Sequence, residues 1–295
     1  MSRRAWLAGL ALLLTACATA VVPVAPSVVF DTAKSPRLPA RLKYGLFVTT
    51  ARLDDVEHGP FVLDTGAFAL TLDTRLADRL GVTRPGHTVI RQLVRFGTVG
   101  AIEIGPVVFR RAEVSIVDLS APAKTFGETL AGVLGYPLFA AAVVEVDYPR
   151  QTVTCFDPKT YRLPRGEWQP LVLNGWHAGI SARFEAGVEG IFMVDTGSNH
   201  PGVHLKARFL ERHPLLVLRD GGKSKSVRIG GVRETLVGRI SWLEVGGRRF
   251  KGPAVTFDPP GDDDPLFDGT IGYGLLRDFV VVFNYPERKI AFLDP

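Results

Sequence analysis

Two short stretches hold the residues best suited to chemistry. Phe61-Val62-Leu63-Asp64-Thr65-Gly66-Ala67 recurs 131 residues later (195 − 64 = 131) as Phe192-Met193-Val194-Asp195-Thr196-Gly197-Ser198. Each is an apolar run that ends on an aspartate, a threonine and a glycine. Average composition would place one Asp-Thr-Gly in a chain of this length in roughly one case in twenty, so two with the same lead-in point to design. A single carboxylate is a weak catalyst. Two that face each other about 3 Å apart cannot both ionise and so share one proton. The ionised member can draw a proton from water while the protonated member hydrogen-bonds a carbonyl under attack.

The flanking residue types suit that use. An apolar run delivers the carboxylate from a buried strand. Threonine fits a strand end, and its hydroxyl can bond nearby backbone. Glycine lets the chain turn sharply and lets a substrate backbone come close. The residue after each glycine differs. Ser198 could offer its hydroxyl to the Asp195 carboxylate and Ala67 could offer nothing to Asp64, which predicts that Asp195 carries the charge and Asp64 the shared proton.

The remaining pattern is one of short strands. The chain has 295 residues, 46% hydrophobic and 22% charged, with Gly 31 and Pro 21, a mixture suited to strands and turns. Leucines 72, 76 and 80 share one helical face, and Gly81 stands where a cap belongs. Residues 87–100 read as a hairpin, a candidate flap in which Arg91, Arg95 and Phe96 could touch substrate. Gly132-Val133-Leu134-Gly135-Tyr136 returns as Gly269-Thr270-Ile271-Gly272-Tyr273, and Asp147-Tyr148-Pro149 as Asn284-Tyr285-Pro286. From Asp64 to Gly135 is 135 − 64 = 71 residues, and from Asp195 to Gly272 is 272 − 195 = 77. The order of parts is thus repeated, with apolar periodicity lapsing near residues 164–166.

These motifs resemble the aspartic protease family, with its Asp-Thr-Gly-Ala or Asp-Thr-Gly-Ser signature and its later apolar-apolar-Gly landmark. The resemblance implies a mostly β fold: two homologous retropepsin-like (acid protease) β-barrel lobes, a central cleft and a few short helices. It implies catalysis by Asp64 and Asp195, support from Thr65, Gly66, Ala67, Thr196, Gly197 and Ser198, and no cofactor or metal. Thr65 and Thr196 would interlock across the lobes. The substrate would be an extended peptide or protein, cut with water. The alternative is a catalytically inactive retropepsin-like module that grips peptides of the cell envelope without cutting them.

The expected organisation is a signal peptide over residues 1–16, a tether over 17–40 in which valines 21, 22, 28 and 29 could let part pair as an edge strand, an N-terminal lobe over 41–165 and a C-terminal lobe over 166–295. Arg3 and Arg4, an apolar run from Ala5 to Leu14, then Leu14-Thr15-Ala16-Cys17 resemble a bacterial lipobox. That implies a lipid on Cys17 and a protein facing the periplasm, the outer membrane being the favoured host. Losing residues 1–16 takes the net charge from +5 to 35 − 2 − 30 = +3, too mild for a nucleic-acid partner. With Cys17 lipidated, Cys155 stays unpaired in an alternating, strand-like stretch and reads as a small buried apolar residue. The intrachain repeat makes a monomer sufficient. His200 and His204 stand four apart without an acidic third ligand, and the acidic run 258–265 lacks a calcium-loop pattern, so both read as non-metal.

Overall fold

The computed structural model describes residues 27–82, 88–89, 94–214, 216, 219–228, 231–257 and 267–295. The expected signal peptide, Cys17, Arg91 and the acidic run 258–265 lie outside the described residues.

The chain is mostly β, in three sheets. In the first, strands Leu46–Leu53, Val56–Leu63, Gly132–Leu134, Leu70–Asp73, Val107–Val117 and Val94–Ile104 pair in a ring, and the pairing of the last two closes a six-stranded barrel. Alternation puts Phe47, Phe61, Leu63, Leu72, Ile104, Phe109 and Ile116 inside, all essentially solvent-free. A second sheet repeats the plan with strands His177–Phe184, Glu189–Val194, Gly269–Ile271, Val203–Leu205 and Ala254–Phe257. The third sheet joins the lobes. Strand Val143–Asp147 from the first pairs antiparallel with Val280–Asn284 from the second, Val144 opposite Phe283 and Asp147 opposite Val280.

The repeat read in the sequence is a repeat of hydrogen bonding. The strand carrying Asp64 runs parallel to Gly132–Leu134, with Val62 opposite Val133. The strand carrying Asp195 runs parallel to Gly269–Ile271, with Met193 opposite Thr270. Each landmark strand also pairs antiparallel with the strand that follows the signature turn. Gly135 and Gly272 then start short helices, Tyr136–Ala141 and Tyr273–Leu276. No side chain fits at Gly272, because a Cβ there would lie 2.6 Å from the Ser198 carbonyl oxygen.

Several expectations needed correction. Residues 27–40, read as tether, are laid onto the first lobe. Strand Ser27–Phe30 pairs with Val107–Val117, and Leu38 is buried. Valines 28 and 29 gain backbone partners there, although their side chains stay exposed. The leucine-rich segment 72–81 is helical only over Thr74–Arg79, because Asp73 caps it by accepting from the Arg75 N–H at 3.1 Å. A helix over Ser120–Phe126 was not foreseen, since Pro122 sits within it. That helix lies against strand Arg219–Arg228 of the second lobe's long hairpin, which reaches across to the first lobe.

Candidate active site

Each aspartate stands at the end of its strand, where the landmark strand fixes it. The Asp64 N–H donates to the Leu134 carbonyl at 3.0 Å, and the Asp195 N–H to Ile271 at 2.9 Å. The turns then fold back on themselves. The Gly66 N–H donates to Asp64 Oδ1 at 2.7 Å, and the Gly197 N–H to Asp195 Oδ1 at 2.8 Å.

The threonines lock the two turns together. The Thr65 N–H donates to Thr196 Oγ1 at 3.0 Å, and the Thr196 N–H to Thr65 Oγ1 at 2.9 Å. Thr65 Oγ1 donates to the Val194 carbonyl at 2.6 Å and Thr196 Oγ1 to that of Leu63 at 2.9 Å. Both side chains are buried, so water cannot compete for these bonds. The four form a twofold-related clasp between residues about 130 apart in sequence.

The clasp brings Asp64 and Asp195 within hydrogen-bonding reach of each other. Each glycine of one turn abuts the opposite carboxyl. A Cβ on Gly66 would sit 3.0 Å from the Asp195 carboxyl oxygens, and one on Gly197 would overlap the Asp64 carboxyl outright. Burial raises the pKa of both groups. At Asp64 that rise is opposed by the hydrogen bond from Asp195, then by the Gly66 N–H and the charge of His177. At Asp195 the Asp64 charge adds to burial and drives the group well above the ordinary carboxylate range. The two carboxyls therefore titrate as a pair that keeps one proton between them.

The hydrogen bond expected from Ser198 to Asp195 is not made. The Ser198 hydroxyl is buried and finds no hydrogen-bond partner among the described residues. The signature turn points Ser198 Oγ toward Gly272, where a Cβ would come within 2.7 Å of it. Ala67 contributes through its backbone: its carbonyl accepts from the Tyr136 N–H at 2.8 Å, as that of Ser198 does from Tyr273.

Around the dyad lies an aromatic shell. Tyr148 and Tyr285 are buried with hydroxyls that find no partner among the described residues, and burial raises both phenols, with charge on Asp195 adding to it at each and charge on Asp64 at Tyr285. Tyr136 packs edge-on against Trp176 at 5.3 Å, and Tyr273 lies 6.0 Å from Tyr148. Of the expected flap residues, Arg95 is ion-paired to Asp78 at 3.0 Å on its own lobe, and Phe96 lies half-buried in strand Val94–Ile104. His200 and His204 stack at 5.1 Å and share the Thr256 hydroxyl.

One site residue escaped the sequence reading. His177 Nε2 lies 3.0 Å from the Gly66 carbonyl oxygen, reaching from the second lobe to the first lobe's signature turn. A signal for it exists. His177 precedes Asp195 by 18 residues, and Leu46 precedes Asp64 by 18 (195 − 177 = 64 − 46), so aligning the copies sets an imidazole against an aliphatic chain.

Comparison with known proteins agrees with this geometry. Residues 49–138, which contain the first signature and the first landmark, match the family model described as aspartyl protease. No curated protein matches the chain in sequence. Among solved structures, basic 7S globulin from soybean superposes with a TM-score of 0.50 at 14% identity, covering 91% of this chain and 95% of that one. The chain therefore has the aspartic protease fold, and its residues 49–138 are similar to the aspartyl protease family.

Proposed function

We propose that this protein is an aspartic endopeptidase. The observation that carries the reading is the clasped pair of turns, which holds two carboxyls opposite each other. Of Asp64 and Asp195, the charged member takes a proton from water as the water oxygen bonds to the peptide carbonyl carbon. The protonated member gives its proton to the carbonyl oxygen. Collapse of the tetrahedral adduct returns that proton to the carboxyl that gave it, and the other carboxyl passes its own to the departing nitrogen as the C–N bond breaks. The substrate lies extended between the lobes, in reach of the hairpins built from strands Thr88–Val89 and Val94–Ile104 and from Arg219–Arg228 and Gly231–Arg239. The lipobox-like leader supports a lipid-anchored location facing the periplasm.

The test is peptide cleavage across a pH range by wild type, Asp64→Asn and Asp195→Asn, with and without a pepstatin-type inhibitor. Each asparagine variant should lose at least about a thousandfold in rate. A wild type that binds peptide and never turns it over would replace this reading with that of a peptide-binding module.

A further inference from the structure

The two copies differ in a telling way at the residue 18 positions upstream of each aspartate. In the first copy this is Leu46, which packs with Val48, Val62 and Ala67 in an apolar cluster. In the second it is His177, half-buried at the start of strand His177–Phe184. Both positions occupy the same place in their hairpins: Leu46 lies opposite Lys43 and His177 opposite Asn174. The substitution is therefore confined to the side chain, at a place where the backbone is repeated.

His177 Nε2 is 3.0 Å from the Gly66 carbonyl. A carbonyl oxygen can only accept, so Nε2 carries the hydrogen and donates. The Gly66 N–H in turn donates to Asp64 Oδ1 at 2.7 Å. Gly66 is thus held from both sides, by the second lobe through its carbonyl and by the Asp64 carboxylate through its N–H. No counterpart from Leu46 is possible, because an aliphatic chain has no donor. Among the described residues, this side-chain tie is made to the turn of Asp64.

We propose that His177 is a positioning residue for the dyad: its Nε2–H, brought from the second lobe, pins the Gly66 carbonyl and fixes the turn that presents Asp64 to its partner carboxyl. The inference rests on the proteolytic reading for its kinetic consequences but not for its geometry. Asp64 responds to charge on His177 in the direction that favours ionisation. The other ionisable groups at this corner are Asp195 and the phenols of Tyr136, Tyr148, Tyr273 and Tyr285, of which burial holds Tyr148 and Tyr285 neutral.

The test compares His177→Leu and His177→Gln in the full chain. Leucine is what the first copy already carries at this place, and glutamine keeps an N–H donor without a titrating ring. His177→Leu should lower kcat about tenfold with KM little changed. It should also move the acid limb of the pH–rate profile to higher pH, and His177→Gln should restore most of the rate. A leucine variant with wild-type kcat and an unmoved acid limb overturns the inference, as does one whose sole defect is a lower Tm. If wild type cuts no peptide, the proteolytic reading falls and the dyad is read directly by 13C NMR of the aspartate carboxyls. His177→Leu must then raise the pH at which the pair takes up its second proton, and superimposable titrations overturn the inference.

Discussion

Thr65→Val is the sharpest perturbation of the site's scaffold. Valine keeps the branched shape at Cβ and removes only the hydroxyl. Two bonds go with it: the donation to the Val194 carbonyl at 2.6 Å and the acceptance from the Thr196 N–H at 2.9 Å. Both partners lie in a buried interface, so the stranded N–H costs about 1–3 kcal/mol and the lost bond to the carbonyl about 1 kcal/mol more. A total of about 3 kcal/mol, set against an unfolding entropy of about 0.6 kcal/mol/K for a chain of this size, corresponds to a fall in Tm of roughly 5 °C. Thermal unfolding followed by circular dichroism measures it. Thr196→Val removes the two other bonds and should cost about the same. Opening either half of the clasp loosens the other, so the double variant should fall short of the sum by about 1 kcal/mol. A Thr65→Val protein melting within about 2 °C of wild type would refute the view that the clasp holds the lobes in register.

Other expectations follow from burial and close contact. The Cys155 thiol is solvent-free and pushed up to about 12 by burial, so it is un-ionised at pH 8. A thiol reagent should leave the native chain unlabelled at Cys155 and label it in guanidinium; fast labelling of native protein would contradict this. Asp195 is raised well above its ordinary 3.8, so the folded state keeps a proton that the unfolded state has lost. Its contribution to stability is whole below pH 3.8 and is lost as pH rises through the folded value. Asp195→Asn, neutral at every pH, should therefore melt above wild type at pH 7 with the gap closing by pH 4, and an equal gap at both would show the sign to be wrong. Gly197→Ala forces a Cβ into the Asp64 carboxyl and should cost about 1–3 kcal/mol, more than Gly66→Ala, where the contact is 3.0 Å. Equal stabilities for the two variants would show that the turns yield more easily than their packing indicates.

What the chain states openly is whatever the repeat writes twice. The signature strands, the landmark glycines and the Tyr-Pro turns each occur in both halves, and the sheets that hold them have the same registers. What was hidden depends on contacts between distant residues. Residues 27–40 look like linker because proline and small residues dominate, yet Leu38 finds the core. Ser198 has the right chemistry for its carboxylate and the wrong direction, which turn geometry sets and residue type does not. His177 was legible only as a departure from the repeat, and a search for likeness passes over such departures. The ion pair of Arg95 with Asp78 on a neighbouring helix was likewise invisible in the sequence, because it joins residues 17 apart across two elements.

The seam between Val143–Asp147 and Val280–Asn284 has a consequence for the origin of the molecule. These strands occupy the same place in each half and meet antiparallel, head against tail. A half-length ancestor would have had that strand as a bare, valine-rich rim, and the nearest surface able to cover it was the same rim on an identical copy. Within the single chain each rim covers the other, so neither is left open to a second copy.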